Sequence, residues 1–307
     1  MPVIETWVLL AVSASLLQTG RNALSRSLAR QISPGLNSWS RFAFSLPWAT
    51  LACLAVVGLE GMPRLGLEFF VCCGVTALTQ LLGNVALVAA FREGSFGEAI
   101  VFHKLEVVLT ALVGACLFGE WPSWVGAFGV AVCGAGVVVV NRAREPGARG
   151  LAQALRFGRA GRLALACAVL LVIASFALKQ ANQAIYADNP ALAPGSIAAP
   201  VQTLFHVTWM EVALATGFLT RFEPDSLRAA PVHLRRFALI GATGFLASLG
   251  WFWAYSLTLV AYVKAVGQLE ALIAVALGIR LLGERELLRQ LPGIALLVTG
   301  ILLVLIG

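Results

Sequence analysis

Long apolar runs separated by short polar connectors make up almost all of this 307-residue chain. A helix needs about 20 mostly apolar residues to cross the hydrocarbon core of a bilayer, and such runs recur ten times. Pro and Gly interrupt the pattern at several run ends, as in Pro34-Gly35 and Asn189-Pro190. The predicted helices cover residues 4–28, 36–58, 66–92, 95–118, 123–140, 162–187, 193–220, 234–258, 260–282 and 287–306. This pattern predicts an all-α integral membrane protein with ten transmembrane helices.

The composition leaves no room for a second kind of domain. The chain is 59% hydrophobic and 12% charged, whereas soluble proteins are about 25% charged. With ten membrane crossings almost no length remains, which excludes a nucleic-acid-binding or soluble catalytic domain. The six cysteines lie inside apolar runs without a CxxC pair, so we interpret them as packing residues rather than metal ligands or disulfides.

The two halves of the chain share a motif at constant spacing. Leu105-Glu106 precedes Gly119-Glu120, and Leu269-Glu270 precedes Gly283-Glu284, each 164 positions after its counterpart. Repeats of five helices must lie in opposite orientations, because five is odd. The spacing therefore predicts two inverted five-helix repeats around a central cavity, an arrangement typical of secondary transporters.

The repeat also divides the chain. Residues 1–141 form the first predicted repeat and residues 162–307 the second, and the polar stretch 142–161 is predicted to be a cytoplasmic linker. Connectors after odd-numbered helices, counted with the adjoining helix ends, contain 17 Arg residues, whereas those after even-numbered helices contain only Arg64. Because cytoplasmic loops are enriched in Lys and Arg, we predict an inner-membrane protein with both termini in the periplasm.

The chain resembles a known family. The stretch 251–307 is similar to the closing region of the EamA family of the drug/metabolite transporter superfamily. The similarity rests on Trp253-Ala254-Tyr255, Leu269-Glu270, Gly283-Glu284, Gly293 and Gly300, and in the first half on Ala90-Phe91, Leu105-Glu106 and Gly119-Glu120. The resemblance implies ten helices in two inverted repeats, and transport of small metabolites, often the export of amino acids or their derivatives. Unlike the four-helix multidrug relatives, the first helix has no carboxylate deep inside it, which disfavours cationic drugs.

Charged residues near the middle of predicted helices are candidate functional residues, because each costs ~2.5–3.5 kcal/mol at the bilayer centre on insertion scales. The fourth predicted helix contains His103, Lys104 and Glu106. His103 and Glu106 share one helix face, whereas Lys104 points nearly the opposite way, so each needs a partner on another helix. The repeat register places Glu270 at the depth of Glu106. We predict that these four contact substrate and that one or both of Glu106 and Glu270 exchange protons during transport; the alternative is that the carboxylates only hold helices together.

Further substrate contacts are predicted from Gln268, Lys179 and Asn84, and an aromatic cavity wall from Trp251 and Tyr255. For the aromatic side chains, the alternative is an interfacial position beside the lipid headgroups.

Three other features have structural interpretations. Lys264, close to a predicted helix end, is expected to snorkel toward the surface. Arg41 is interpreted as a member of an ion pair that tethers a loop or as a substrate contact, and Glu211 as a partner for Arg41 or for a Lys. The glycines of helices 5 and 10 suit close backbone approach, either as a scaffold or as a dimer face.

These observations predict a secondary active transporter that exports or exchanges a small polar metabolite. The substrate is predicted to carry a carboxylate, as an amino acid or organic acid does, and to bind Lys104. A lipid or lipid-linked sugar flippase is the alternative within membrane proteins. An intramembrane hydrolase is disfavoured, because the chain has neither HExxH nor Gly-x-Ser-x-Gly. We therefore predict no enzyme activity, no cofactor and no metal. The expected partners are a small-molecule substrate and the bilayer, but no nucleic acid, and the chain is a monomer or a homodimer through helices 5 and 10.

The predicted topology can be tested with reporter fusions. Alkaline phosphatase fused after Gly307 should be active, because the enzyme matures only in the periplasm. The same fusion within residues 142–161 should be inactive. The reverse pattern of activities would contradict the assignment of both faces.

Overall fold

The computed structural model describes residues 5–29, 31–93, 106–144, 159–269, 289 and 291–307. Within these residues the protein is helical and contains no strand. The helices of eight or more residues are α1 (Thr6–Leu28), α2 (Pro34–Glu60), α3 (Leu67–Glu93), α4 (Glu106–Phe118), α5 (Trp124–Arg144), α6 (Arg159–Asp188), α7 (Ala198–Phe222), α8 (Leu234–Leu257), α9 (Val260–Gly267) and α10 (Leu291–Ile306).

Helix α2 illustrates how local sequence sets the helix ends. Ser33 precedes the helix in an extended conformation, and its side chain accepts a hydrogen bond from the Leu36 amide at 3.1 Å. Pro34 follows at the first helical position, where its missing N–H leaves no intrahelical bond unmade. Gly61 ends the helix with φ of 82°, a conformation that favours glycine.

Among the described residues, four helical segments are long and apolar enough to cross a membrane: Pro34–Glu60, Leu67–Ala90, Gly161–Asp188 and Ala230–Leu257. Large apolar side chains on helix surfaces are exposed, as for Trp124 at 93%, and they match a lipid environment. The protein is thus an all-helical integral membrane protein, as predicted. The number of ten crossings and the inverted repeats stay predictions.

The most extensive helix contacts join the first half of the chain to the second. They pair α3 with α6, α5 with α10, α1 with α8, and α2 with α7. If each helix is replaced by the helix five positions earlier or later in the chain, the α1–α8 pair becomes the α3–α6 pair, which is also in the set. The α2–α7 and α5–α10 pairs each become themselves, so the set as a whole is unchanged. A two-fold relation between the halves would produce such a set.

The α5–α10 contact has the same symmetry at the residue level. A Cβ on Gly129 would lie 2.8 Å from the Gly300 oxygen, and one on Gly136 would lie 2.9 Å from the Gly293 oxygen. Midway between them, the Cys133 thiol lies 3.8 Å from the Leu297 oxygen. Positions increase along α5 as they decrease along α10, so the two helices pack antiparallel. Within one chain, the glycine face of α5 packs against the glycine face of α10. A second copy of the chain would therefore bind through other surfaces.

The structure differs from the predicted elements in two connectors. The α7–α8 connector, predicted to be irregular, contains a helix at Pro224–Ala229 and a 3-10 turn at Ala230–His233. The predicted linker 142–161 is helical at both of its ends, because α5 extends to Arg144 and α6 begins at Arg159. Pro224 at the first helical position and the good helix formers Leu227 and Arg228 account for the short helix. The rest of the linker, and parts of the fourth and ninth predicted helices, lie outside the described residues.

The glycine contact predicts a stability effect. The substitution Gly300→Ala should lower the free energy of unfolding by about 1–3 kcal/mol, because the new methyl group would lie 2.6 Å from the Cys133 amide nitrogen. The control Gly217→Ala, whose Cβ meets nothing within 4 Å, should raise stability, since Gly costs about 0.5–1 kcal/mol in a helix interior. Thermal unfolding in detergent measures both, and equal shifts would contradict the close packing.

Candidate functional site

A cavity of about 100 Å³ lies between the two halves of the protein. Its described lining comes from α1 to α4 in the first half, and from α6, α8, α9 and Gln268 in the second half. The charged side chains in this lining are Arg21, Arg41, Glu106 and Lys264. Three cations and one carboxylate therefore face the cavity in the described part of its wall.

Arg41, on α2, lies at the end of the cavity nearer the Arg-rich connectors. Its guanidinium Nη1 donates to Asn84 Oδ1 at 2.9 Å, and Asn84 Nδ2 donates to Ser38 Oγ at 2.9 Å. Only 8% of Arg41 is exposed, so protein contacts replace most of its hydration. Asn84 holds the guanidinium in place without neutralising its charge.

The charge of Arg41 is balanced by Glu211 from the other half of the chain. In the amide orientation that satisfies both neighbours, Gln80 accepts from Arg41 Nη2 at 3.2 Å and donates to Glu211 Oε1 at 3.1 Å. Arg21 also interacts electrostatically with Glu211. An ion pair between Arg41 and Glu211 was one interpretation of the sequence, and in the structure the Gln80 side chain bridges these two residues. We call Arg21, Arg41, Gln80, Asn84 and Glu211 the arginine cluster.

The opposite end of the cavity contains an ion pair between the halves. Lys264 Nζ, on α9, donates to Glu106 Oε1 at the start of α4. The same ammonium lies 5.8 Å from the centre of the Tyr255 ring, a cation–π distance. The expectation that Lys264 snorkels to the surface is wrong, because the helix break before α9 points this side chain inward, where Glu106 compensates its charge.

Aromatic and amide groups complete the wall between these two ends. Trp251 stacks on Tyr255 with ring centroids 5.9 Å apart, and its Nε1 donates to Gln18 Oε1 at 3.1 Å. Gln268 Nε2 donates to the Lys264 carbonyl at 3.2 Å. The wall thus combines flat apolar surface with amide groups that can form hydrogen bonds.

The structure places five of the predicted site residues around this cavity. They are Asn84, Glu106, Trp251, Tyr255 and Gln268. His103, Lys104 and Glu270 lie outside the described residues. Lys179 is absent from the described lining and pairs instead with Glu120, 2.6 Å away. The role of each residue in substrate binding stays a prediction.

The sequence analysis missed two lining residues, Arg21 and Gln80, that a helical pattern could have identified. Arg21 recurs with Gln18 and Asn22 in α1, and Gln80 with Asn84 in α3, at spacings of three and four in otherwise apolar helices. Such spacing puts polar groups on one face. Among the described residues no three His, Cys, Asp or Glu side chains converge as metal ligands.

Comparison with known proteins identifies the first half of the chain. Residues 5–142 match the model of the EamA-like transporter family. This half belongs to that family. The resemblance inferred from the sequence is confirmed, and members of the family are membrane transporters rather than enzymes. The match of residues 5–142 to this family implies a membrane transporter of the drug/metabolite transporter superfamily.

Solved structures show the same fold. One, titled "Crystal structure of protein", superposes with a TM-score of 0.67 at 20% sequence identity and covers 98% of this EamA-like chain and 98% of its own. At this identity the similarity concerns the fold alone, and it includes the half beyond the family match. No curated protein matches the sequence.

The ion pair at the cavity predicts a non-additive effect on stability. The substitution Lys264→Met should cost about 3–5 kcal/mol, because it removes the ammonium that compensates the buried Glu106 carboxylate. The double variant Lys264→Met/Glu106→Gln should recover most of this loss. Thermal unfolding of the single and double variants gives the coupling, and strictly additive losses would contradict a direct pair. The control Arg228→Met removes an ion pair whose partners are 81% and 88% exposed, and should have little effect.

Proposed function

We propose that the protein is an inner-membrane secondary transporter that exports or exchanges a small, carboxylate-bearing metabolite. The observation that supports this most directly is the cavity between the halves, whose described lining includes Arg21, Arg41 and Lys264 against one carboxylate, Glu106. With Glu211 behind Arg41 counted as well, the cations still outnumber the carboxylates by three to two. Ionisable groups in the membrane interior are costly and typical of substrate or ion pathways. A polar substrate of opposite charge would lower that cost.

The arrangement of the halves supports alternating access as the mechanism. The α5–α10 contact is antiparallel, and the major helix pairs are preserved when the halves are exchanged. Both features are expected of inverted repeats that surround a central site. In such proteins, rocking of one repeat against the other exposes the site to each side of the membrane in turn.

The guanidinium of Arg41 is well suited to bind a substrate carboxylate. It is planar and can donate two parallel hydrogen bonds to the two carboxylate oxygens. Asn84 and Gln80 fix its orientation before substrate arrives, which reduces the entropy lost on binding. The sequence analysis assigned the carboxylate contact to Lys104, and we now propose that Arg41 makes it as well.

Glu106 is our candidate for proton coupling in the described part of the site. Its carboxylate lines the cavity and accepts a hydrogen bond from Lys264. Protonation of Glu106 would weaken this pair, and would therefore change the charge at one end of the cavity during the transport cycle. Glu270 is proposed as its counterpart in the second half on the strength of the repeat register alone.

Ligand binding tests the proposed substrate class. Carboxylated metabolites should raise the unfolding temperature of the purified protein, whereas their amide analogues should not, since a ligand at 100 times its Kd adds about 2.7 kcal/mol. The variant Arg41→Gln should weaken binding of the best carboxylate by more than about tenfold, or ~1.4 kcal/mol. The control Arg228→Gln should bind like the wild type.

The same binding assay, carried out at several pH values, tests proton coupling. Wild-type binding should depend on pH, and Glu106→Gln should flatten that dependence when it is measured below the lowered unfolding temperature of this variant. Equal stabilisation by carboxylates and amides would contradict the proposed substrate charge. Stabilisation by lipid-linked sugars alone would favour the flippase alternative.

A further inference from the structure

The chain is interrupted between α8 and α9, and an ion pair caps both sides of the interruption. Thr258 and Leu259 are extended there, with ψ values of −172° and 136°. Lys179 Nζ, from α6, donates to the Thr258 carbonyl at 2.9 Å, where α8 ends. A cation at a helix C-terminus is favoured by the helix dipole.

Glu120 caps the other side of the interruption. It follows Gly119 in the α4–α5 connector, and one carboxylate oxygen accepts from the Val260 amide at 3.1 Å, where α9 begins. The other oxygen accepts from Lys179 Nζ at 2.6 Å. The side chains of Lys179 and Glu120 are only 11% and 13% exposed, so water screens their attraction weakly. We call this pair, with Thr258 and Val260, the clasp.

The clasp joins the two halves of the chain at one face of the protein. That face is formed by the connectors 61–66, 119–123, 189–197 and 258–259, among which Arg64 is the only Lys or Arg. The charge pattern predicts that it faces the periplasm, and we call it the Arg-poor face. Two reciprocal hydrogen bonds between Arg64 and Asn189 also join the halves there.

The direction of the helices places the clasp between the cavity and this face. On α6 the last described lining residue is Leu178, and Lys179 follows it toward the Arg-poor face. On α8 the last described lining residue is Tyr255, and Thr258 comes one turn later in the same direction. Solute that enters the cavity from the Arg-poor face would have to pass the clasp.

Helix α9 is held to the first half by contacts at successive turns. Glu120 binds its first amide, Tyr262 accepts a hydrogen bond from the Ser123 amide at 3.1 Å, and Lys264 pairs with Glu106 at the cavity. These three contacts are polar and can break and re-form more readily than the interlocked glycine packing of α5 and α10. The same helix also packs Val260, Val263 and Val266 into the apolar core, so the breakable contacts on α9 are the polar ones.

We propose that Lys179 and Glu120 form the gate that closes the cavity toward the Arg-poor face. Closure requires both caps at the α8–α9 interruption, and loss of either residue frees α9 to separate from α4 and α6. This inference rests on the proposed transport function, but it concerns how the cavity is opened rather than what it binds.

Cysteine labelling tests the gate without a substrate. Ser175, a cavity-lining residue that is 5% exposed, is changed to Cys in a background whose six natural cysteines are replaced by Ala. A membrane-impermeant maleimide is then added from the Arg-poor face of oriented vesicles. Lys179→Met and Glu120→Gln should each label at least about tenfold faster than the parent, the change produced by ~1.4 kcal/mol of lost closure free energy.

Two control variants distinguish a gate from a general loss of structure. Lys179→Arg retains the charge and the donors, so it should label like the parent. Arg228→Met breaks the exposed pair with Asp225 at the opposite face, and should also label like the parent. Faster labelling in either control would overturn the proposal, because the increase would not depend on the clasp.

Hydrogen exchange of the chain with its natural cysteines gives an independent measurement. In Lys179→Met, amides of residues 258–264 should exchange faster, together with the faster labelling of the cavity. Faster exchange with unchanged labelling would show that the pair is only a local cap, and would overturn the gate. If the gate behaves as expected but no carboxylate binds, the proposed substrate fails and the gate stands.

Discussion

The cost of placing charge in hydrocarbon is the constraint on which this structure depends. A charged side chain in the membrane interior is tolerated where it meets an opposite charge, a backbone carbonyl or a water-filled cavity. The described interior charges follow this rule: Lys264 meets Glu106, Lys179 meets Glu120 and Thr258, and Arg41 meets Asn84 and Gln80 beside Glu211. The apolar outer surface and the polar inner cavity are two consequences of the same cost.

Three of these contacts join the first half of the chain to the second: Lys264 with Glu106, Lys179 with Glu120, and Gln80 with Glu211. Burying one charge therefore requires the other half to be present, which couples the folding of the halves to the formation of the cavity. Removing one member of a buried pair is more costly than removing both, because the remaining charge stays in a poorly hydrated place. The pairs that line the site thus also contribute to stability, and stability and transport are expected to change together at Glu106 and Lys264.

Two kinds of interface between the halves have different mechanical properties. The α5–α10 interface is built from glycines, where backbone contacts backbone with no space for another methyl group, and close packing of this kind has one favourable arrangement. The α9 interface combines buried apolar side chains with polar contacts to Glu106, Glu120 and Ser123, and these polar contacts can exchange partners or water. A rigid contact on one side of the cavity and a breakable contact on the other are what a rocking transporter requires.

The sequence by itself determined the helical membrane architecture, because apolar runs longer than about 18 residues have few other uses. It also identified the family and the special positions of Glu106 and Glu120, through their shared spacing with the second half. It did not reveal which charges meet, since a partner such as Lys264 for Glu106 lies 158 positions away and helical periodicity describes only one helix at a time. Lys264 was misjudged for this reason, and Arg21 and Gln80 were missed. Only the tertiary structure, by setting α9 against α4 and α6, decided which polar residues face the cavity and which close it.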